Sequence, residues 1–150
     1  AHHLPDAAVT ALDISRAALE VAEANACRHC VSDRIRFLQS DLLGALDAAE
    51  AFDVIVSNPP YVPEEERMAL HPQVKCYEPA LALFAGSNGM NIYRRLIPEA
   101  YRSLSGGGLL AMEIGYGQRE AVRELLNGWS EVRFIDDLQQ IPRVALARKS

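Results

Sequence analysis

Phe52-Asp53-Val54-Ile55-Val56-Ser57-Asn58-Pro59-Pro60-Tyr61 is the stretch whose reading decides the fold. Its first half is short, apolar and β-branched with polar flanks, the pattern of a buried strand. The strand must end at the prolines, which have no N–H to give to a ladder and push the preceding residue into extended geometry. A polar Asn58, two stiff residues and an aromatic ring therefore arrive together at the C-terminal end of a strand. In open α/β sheets, ligands bind at that end. The Asn58 side-chain oxygen and the Pro59 carbonyl are acceptors, Pro60 presets the backbone, and the Tyr61 ring can lie on a flat group. Such a set suits a planar nitrogen bearing two hydrogens; a rigid turn after a strand is the less favoured alternative.

Working upstream, Ala8-Val9-Thr10-Ala11-Leu12 is predicted as a strand ending at Asp13, with Ser15 capping a helix from Arg16 to about Ala26. Arg34-Ile35-Arg36-Phe37-Leu38 alternates as a second strand and ends in Ser40-Asp41-Leu42. An acid at a strand end can accept from both hydroxyls of a ribose, and Asp13 serves as well for that as for capping the helix. Asp41 could accept from an adenine amino group while Leu42 packs on the ring; taken alone, a loop aspartate or cap explains it better.

Downstream, a long connection from Val62 to about Asn88 carries Glu64-Glu65-Glu66 and the X-Pro points His71-Pro72 and Glu78-Pro79. Connections of that length tend to be functional. A helix is predicted from about Met90 to Leu104, with Ile92, Leu96, Ala100 and Leu104 four apart and Pro98 leaving a gap or kink. Gly106-Gly107-Gly108 is expected to stop it as a C-terminal cap and not to cradle a phosphate, since no strand precedes it. Then follow a strand at Leu109 to Ile114, a helix at Gln118 to Leu126, and strands at Val132 to Ile135 and Arg143 to Ala147. The last two lack a helix between them and should pair antiparallel. The expected fold is α/β, a mostly parallel Rossmann-like sheet with an antiparallel C-terminal strand, in a single domain over residues 1–150.

Composition narrows the partners. At 150 residues and 49% hydrophobic, the chain can bury a sizeable core. A net charge of -5 and a pI near 5.3 argue against a broad nucleic-acid grip. Apolar runs fall short of a membrane span, and three cysteines make no disulfide framework, so cytoplasmic placement is expected. Cys27-Arg28-His29-Cys30 has metal-ligand spacing, but only Cys76 remains elsewhere and the pair follows a helix, so no metal is expected.

Asp13, Asp41 and Asn58-Pro59-Pro60-Tyr61, in that order, resemble the class I S-adenosylmethionine-dependent methyltransferases, and within them the release-factor glutamine methyltransferases of the HemK/PrmC family. The resemblance covers nearly the whole chain. It includes Asp13-Ile14-Ser15 with Ala24-Asn25, Val56 to Val62, Tyr77-Glu78-Pro79 with Ala82-Leu83, Asn88-Gly89, Tyr93-Arg94, Gly107-Gly108, Glu113-Ile114-Gly115 with Gln118, Asp137-Leu138 and Arg143-Val144. It implies S-adenosylmethionine as cofactor, with Asp13 and the adjoining Ile14 at the ribose, Asp41 and Leu42 at adenine, and Asn58 between cofactor and substrate. Asn58, Pro59, Pro60 and Tyr61 would bind the glutamine of the Gly-Gly-Gln motif in a class 1 peptide release factor, with Asn58, Pro59 and Tyr61 acting in catalysis. The segment from Val62 to Gly86 would shape the substrate mouth.

One departure from the family is large. Its first strand and glycine-rich loop should lie upstream of Asp13, where only Ala1 to Leu12 stand, and its N-terminal helical domain is missing too. This polypeptide alone is therefore expected to bind the cofactor poorly and to leave sheet edges unpaired. Two other readings stay open. One is a nucleic-acid methyltransferase acting on adenine N6 or guanine N2, which would need base flipping and a basic groove. The other is a non-catalytic fragment that kept the fold without the cofactor.

Overall fold

Strand β1 (Val9–Asp13) and strand β2 (Ile35–Gln39) pair in parallel, in register from Val9 opposite Ile35 to Asp13 opposite Gln39. The structure is a computed structural model in which residues 1–61 and 89–150 are described. They form two compact units, Ala1–Asp47 and Ala48–Ser150. The connection with its acidic triplet and Tyr77-Glu78-Pro79 lies outside the described residues.

In the first unit, helix α1 (Arg16–Arg28) links the two strands and packs on both. It begins where expected, because Ser15 Oγ accepts from the Ala18 N–H at 3.2 Å and satisfies one of the orphan donors of the first turn. Leu19 and Ala26 are its buried residues, seven apart and so on one face. A single 3-10 turn, Ser32–Arg34, leads into β2.

The second unit is a four-stranded sheet in the order β3 (Phe52–Ser57), β4 (Leu104–Glu113), β6 (Pro142–Arg148), β5 (Ser130–Asp136). β3 and β4 are parallel, whereas β6 runs antiparallel to both β4 and β5. The expected antiparallel closing pair is thus present, and the fold is the expected α/β arrangement. Ile55, Leu110 and Ala147 are successive partners across three strands, with Met112 opposite Ala145 on the next row. All five are buried, and the large residues on β3 and β4 adjoin alanines on β6. No strand among the described residues joins the two sheets, and on β3, the edge strand of its sheet, Val54 and Val56 are exposed.

Helix α2 (Asn91–Ser103) packs on β4 and on α3 (Arg119–Leu125), and α3 also contacts β6. Tyr93, Leu96, Ile97 and Ala100 form the buried stripe of α2, each large member contributing about 1.5–3 kcal/mol. The helix runs through Pro98, which withholds one internal donor.

The glycine run departs from expectation. α2 ends at Ser103, and Leu104 is already extended at φ -83° and ψ 145°, so no glycine caps the helix. Gly106, Gly107 and Gly108 instead lie inside β4, where the register with β3 slips from Phe52 opposite Leu104 to Val54 opposite Leu109. Such a bulge needs residues tolerant of unusual backbone. Gly107 has φ +76°, and its N–H donates to the Lys149 carbonyl while Lys149 N–H returns a bond to Gly108. Local spacing could not show this, because the bulge is defined by pairing with distant strands.

Candidate functional site

β3 ends as its sequence requires, and the residues after it differ sharply in exposure. Asn58 is exposed, Pro59 is buried, and Pro60 and Tyr61 are half-buried. The polar amide therefore faces outward from a fixed base. Neither X-Pro bond is cis.

That base is a set of hydrogen bonds from elements far along the chain. The Tyr61 hydroxyl donates to Glu113 Oε1 at 3.0 Å, at the end of β4. The Tyr61 carbonyl accepts from Gln118 Nε2 at 3.0 Å. Gln118 Oε1 accepts in turn from the Gly115 N–H at 2.9 Å and from the Tyr93 hydroxyl at 3.2 Å. The Tyr93 hydroxyl also lies 3.2 Å from the Glu113 carbonyl, so its one hydrogen is shared between two acceptors. Burial holds the Tyr93 hydroxyl well above the usual tyrosine range, with a smaller opposing effect from the Gly115 backbone and small increments from Tyr61 and Glu113. It therefore stays protonated and remains a donor.

Two glycines make room for this arrangement. A Cβ on Gly115 would stand 2.7 Å from Gln118 Oε1 and 3.1 Å from the Tyr61 ring. A Cβ on Gly89 would stand 2.6 Å from Gln118 Nε2 and closer still to the Tyr61 carbonyl, and Gly89 has φ +68°, which favours glycine independently.

Within the first unit the predicted cofactor residues gather at one end of the β1–β2 pair. Ser40 N–H donates to the Asp13 carbonyl at 2.9 Å, and Gln39 Nε2 donates to the Ile14 carbonyl at 3.0 Å. Asp13 Oδ1 accepts from the Ser15 N–H at 2.8 Å, so the capping role weighed for Asp13 is present. Capping occupies one of its two oxygens, and Asp13 and Ile14 are both exposed. Asp41 is exposed as well, and its carbonyl accepts from Gly44 N–H at 3.2 Å. Leu42 adopts φ +51°, a left-handed conformation that disfavours a branched side chain. Backbone held against preference is common where a side chain must point at a ligand.

Cys27 and Cys30 are exposed free cysteines, and no group of three or more metal-ligating side chains occurs among the described residues. No helix among those residues is long and apolar enough to cross a membrane.

The contacts of Tyr93, Glu113 and Gln118 escape any local reading of the sequence, since two of the bonds to Tyr61 span 52 and 57 residues. The available signal was a tyrosine on the buried stripe of α2, where an O–H needs a partner, and a glutamine three residues beyond a glycine.

Comparison with known proteins gives these sites a context. Residues 1–74 match the family described as methyltransferase small domain. The chain is 44% identical to the release factor glutamine methyltransferase of Koribacter versatilis, over 99% of this chain and 52% of that protein. It is 43% identical to that of Caulobacter vibrioides, over 97% of this chain and 51% of the relative. The chain thus spans about half the length of the curated relatives it matches. In fold it resembles TrmN from Thermus thermophilus, with a TM-score of 0.67 at 22% identity, over 97% of this chain and 37% of that one. By sequence over nearly its whole length the chain is similar to the release factor glutamine methyltransferases, and in fold it is similar to TrmN.

Proposed function

We propose that this chain carries the catalytic segment of an S-adenosylmethionine-dependent methyltransferase that modifies N5 of the glutamine in the Gly-Gly-Gln motif of class 1 peptide release factors, in the cytoplasm. The observation that carries the reading is an exposed Asn58 on a Pro59-Pro60-Tyr61 base tied at both ends of Tyr61. An amide nitrogen is a poor nucleophile because its lone pair is delocalised into the carbonyl. Its reactivity then depends on orientation, which supplies several kcal/mol of barrier reduction and up to about 7–11 in the best cases. Asn58 Oδ1 and the Pro59 carbonyl accept the two N–H hydrogens of the substrate amide, turning its remaining electron density toward the methyl donor. Tyr61 covers the flat face of the amide and keeps water away.

The residues of the first unit fit the cofactor chemically. Asp13 has a carboxylate oxygen beyond the one that caps α1, suited to ribose hydroxyls. Ile14 adjoins it, Asp41 accepts from an amino group, and Leu42 offers an apolar surface to an adenine ring. The cofactor supplies an electrophilic methyl on a sulfonium, so no covalent enzyme intermediate is needed.

Incubation of the full-length protein that carries this segment with labelled cofactor and either release factor or RNA tests the assignment. Label is expected in release factor, with Asn58→Ala and Tyr61→Ala each slowing transfer about 100-fold. Label in RNA would favour a nucleobase amine as substrate. Unchanged transfer in both variants would remove Asn58 and Tyr61 from the site, and no transfer to either acceptor would favour a non-catalytic role.

A further inference from the structure

We infer that Gln118 is a positioning residue for the substrate clamp, acting on Asn58 and Pro59 through Tyr61. The inference rests on the proposed function for what the clamp holds, but the clamp's geometry stands by itself.

The Gln118 carboxamide has one permitted orientation. The Gly115 N–H can only donate and the Tyr61 carbonyl can only accept, so the oxygen must face Gly115 at 2.9 Å and the nitrogen must face Tyr61 at 3.0 Å. Tyr93 adds a second donor to the oxygen. Glu113 meanwhile receives the hydroxyl at the far end of Tyr61. Two fixed points at opposite ends of one residue set both its backbone and the direction of its ring.

The prolines carry that constraint upstream. Each locks φ near -65°, and neither bond is cis, so few torsions remain free between Asn58 and Tyr61. Holding the Tyr61 carbonyl therefore limits where the Pro59 carbonyl can point. Gly89 and Gly115 leave the slot for the Gln118 amide, since a Cβ on either would intrude on it. Gln118 acts on the reacting amide only through Tyr61, and near-attack geometry is sensitive to displacements of about 1 Å.

The deciding variant is Gln118→Glu. It keeps volume and the acceptor for Gly115 and Tyr93, and sets a second acceptor against the Tyr61 carbonyl. Gln118→Met keeps length and removes both functions. With release factor as acceptor, Gln118→Glu is expected to lower kcat at least about 10-fold while leaving the cofactor Kd within about twofold of the parent. Combined with Tyr61→Phe, the two losses should multiply to less than their product, because both act on one residue. A second readout needs no turnover: in nuclear magnetic resonance spectra, Gln118→Glu should broaden the Asn58 side-chain amide and Tyr61 ring signals. The Gly115 amide should stay protected from hydrogen exchange in Gln118→Glu and lose protection in Gln118→Met. Parental kcat with unperturbed Asn58 and Tyr61 signals would overturn the inference. If the parent itself transfers no methyl group, the proposed function fails, and the Asn58 and Tyr61 signals alone decide whether Gln118 sets the clamp.

Discussion

The two units hold their strand ends by different means. At the ends of β1 and β2, most polar side chains bond close along the chain, Asp13 to Ser15, Ser15 to Ala18 and Ser40 to Ala45, with Gln39 to Ile14 the one longer-range bond among those described. At the end of β3, Tyr61 is held by Glu113 and Gln118, residues that only tertiary folding brings near. Local caps form with the helix they start, whereas the Tyr61 anchors exist only after β4, α2 and α3 have assembled. The first kind of site should tolerate loss of one bond, and the second should respond as a unit.

Breaking the long-range set offers the largest expected effect. Gly89→Ala forces a side chain onto the Tyr61 carbonyl from a left-handed backbone, and unfolding by urea should record a loss of about 3 kcal/mol. Tyr93→Phe removes one shared donor while Gly115 still serves Gln118, so the expected loss is about 1–1.5 kcal/mol at neutral pH. The same variant sharpens the comparison with pH. Because the Tyr93 pKa is raised in the folded chain, its contribution is complete below the ordinary value of 10.0 and declines as pH rises beyond it, where the unfolded form ionises first. Thermal melts should thus show Tyr93→Phe losing less stability than the parent above about pH 10.

On the local side, Ser15→Ala should cost about 1 kcal/mol in the same unfolding assay and leave the Tyr61 ring signals unmoved. The smallest effect is expected at Asp137, in the turn between β5 and β6, which accepts from the Ile141 and Gln139 N–H groups and pairs with Arg143 at 3.2 Å. The Ile141 bond foremost, then those of Gln139 and Arg143, lower its pKa below the usual carboxylate value of 3.8. Its contribution is therefore present at neutral pH and fades as pH falls through the carboxyl's own titration. Asp137→Asn should separate from the parent in neutral melts and converge with it in strong acid.

The same contrast explains what could be read from sequence. The Ser15 cap, the α1 stripe, and the strand endings at Asp13 and Ser57 follow from residues within one turn or one pleat, and each stands within a residue or two of its expected place. The roles of Tyr93, Glu113 and Gln118 depend on strand order and register, which periodicity does not encode. Gly106 to Gly108 differ from expectation for that reason: a glycine run after a helix has the composition of a cap, and only the slip against β3 reveals the bulge. Asp13 shows a third case, in which the sequence offers capping and ribose binding alike and the structure shows capping through a single oxygen.

Leu42 carries a consequence of another kind. Its left-handed backbone costs a leucine roughly 1–2 kcal/mol that a glycine would not spend. On the proposed contact of Leu42 with adenine, thermostability and ligand affinity should pull this position in opposite directions. Laboratory selection for heat resistance alone should drift it toward glycine or asparagine, whereas selection for activity should keep a large apolar side chain. The residue recovered at 42 would report which pressure the protein had been under.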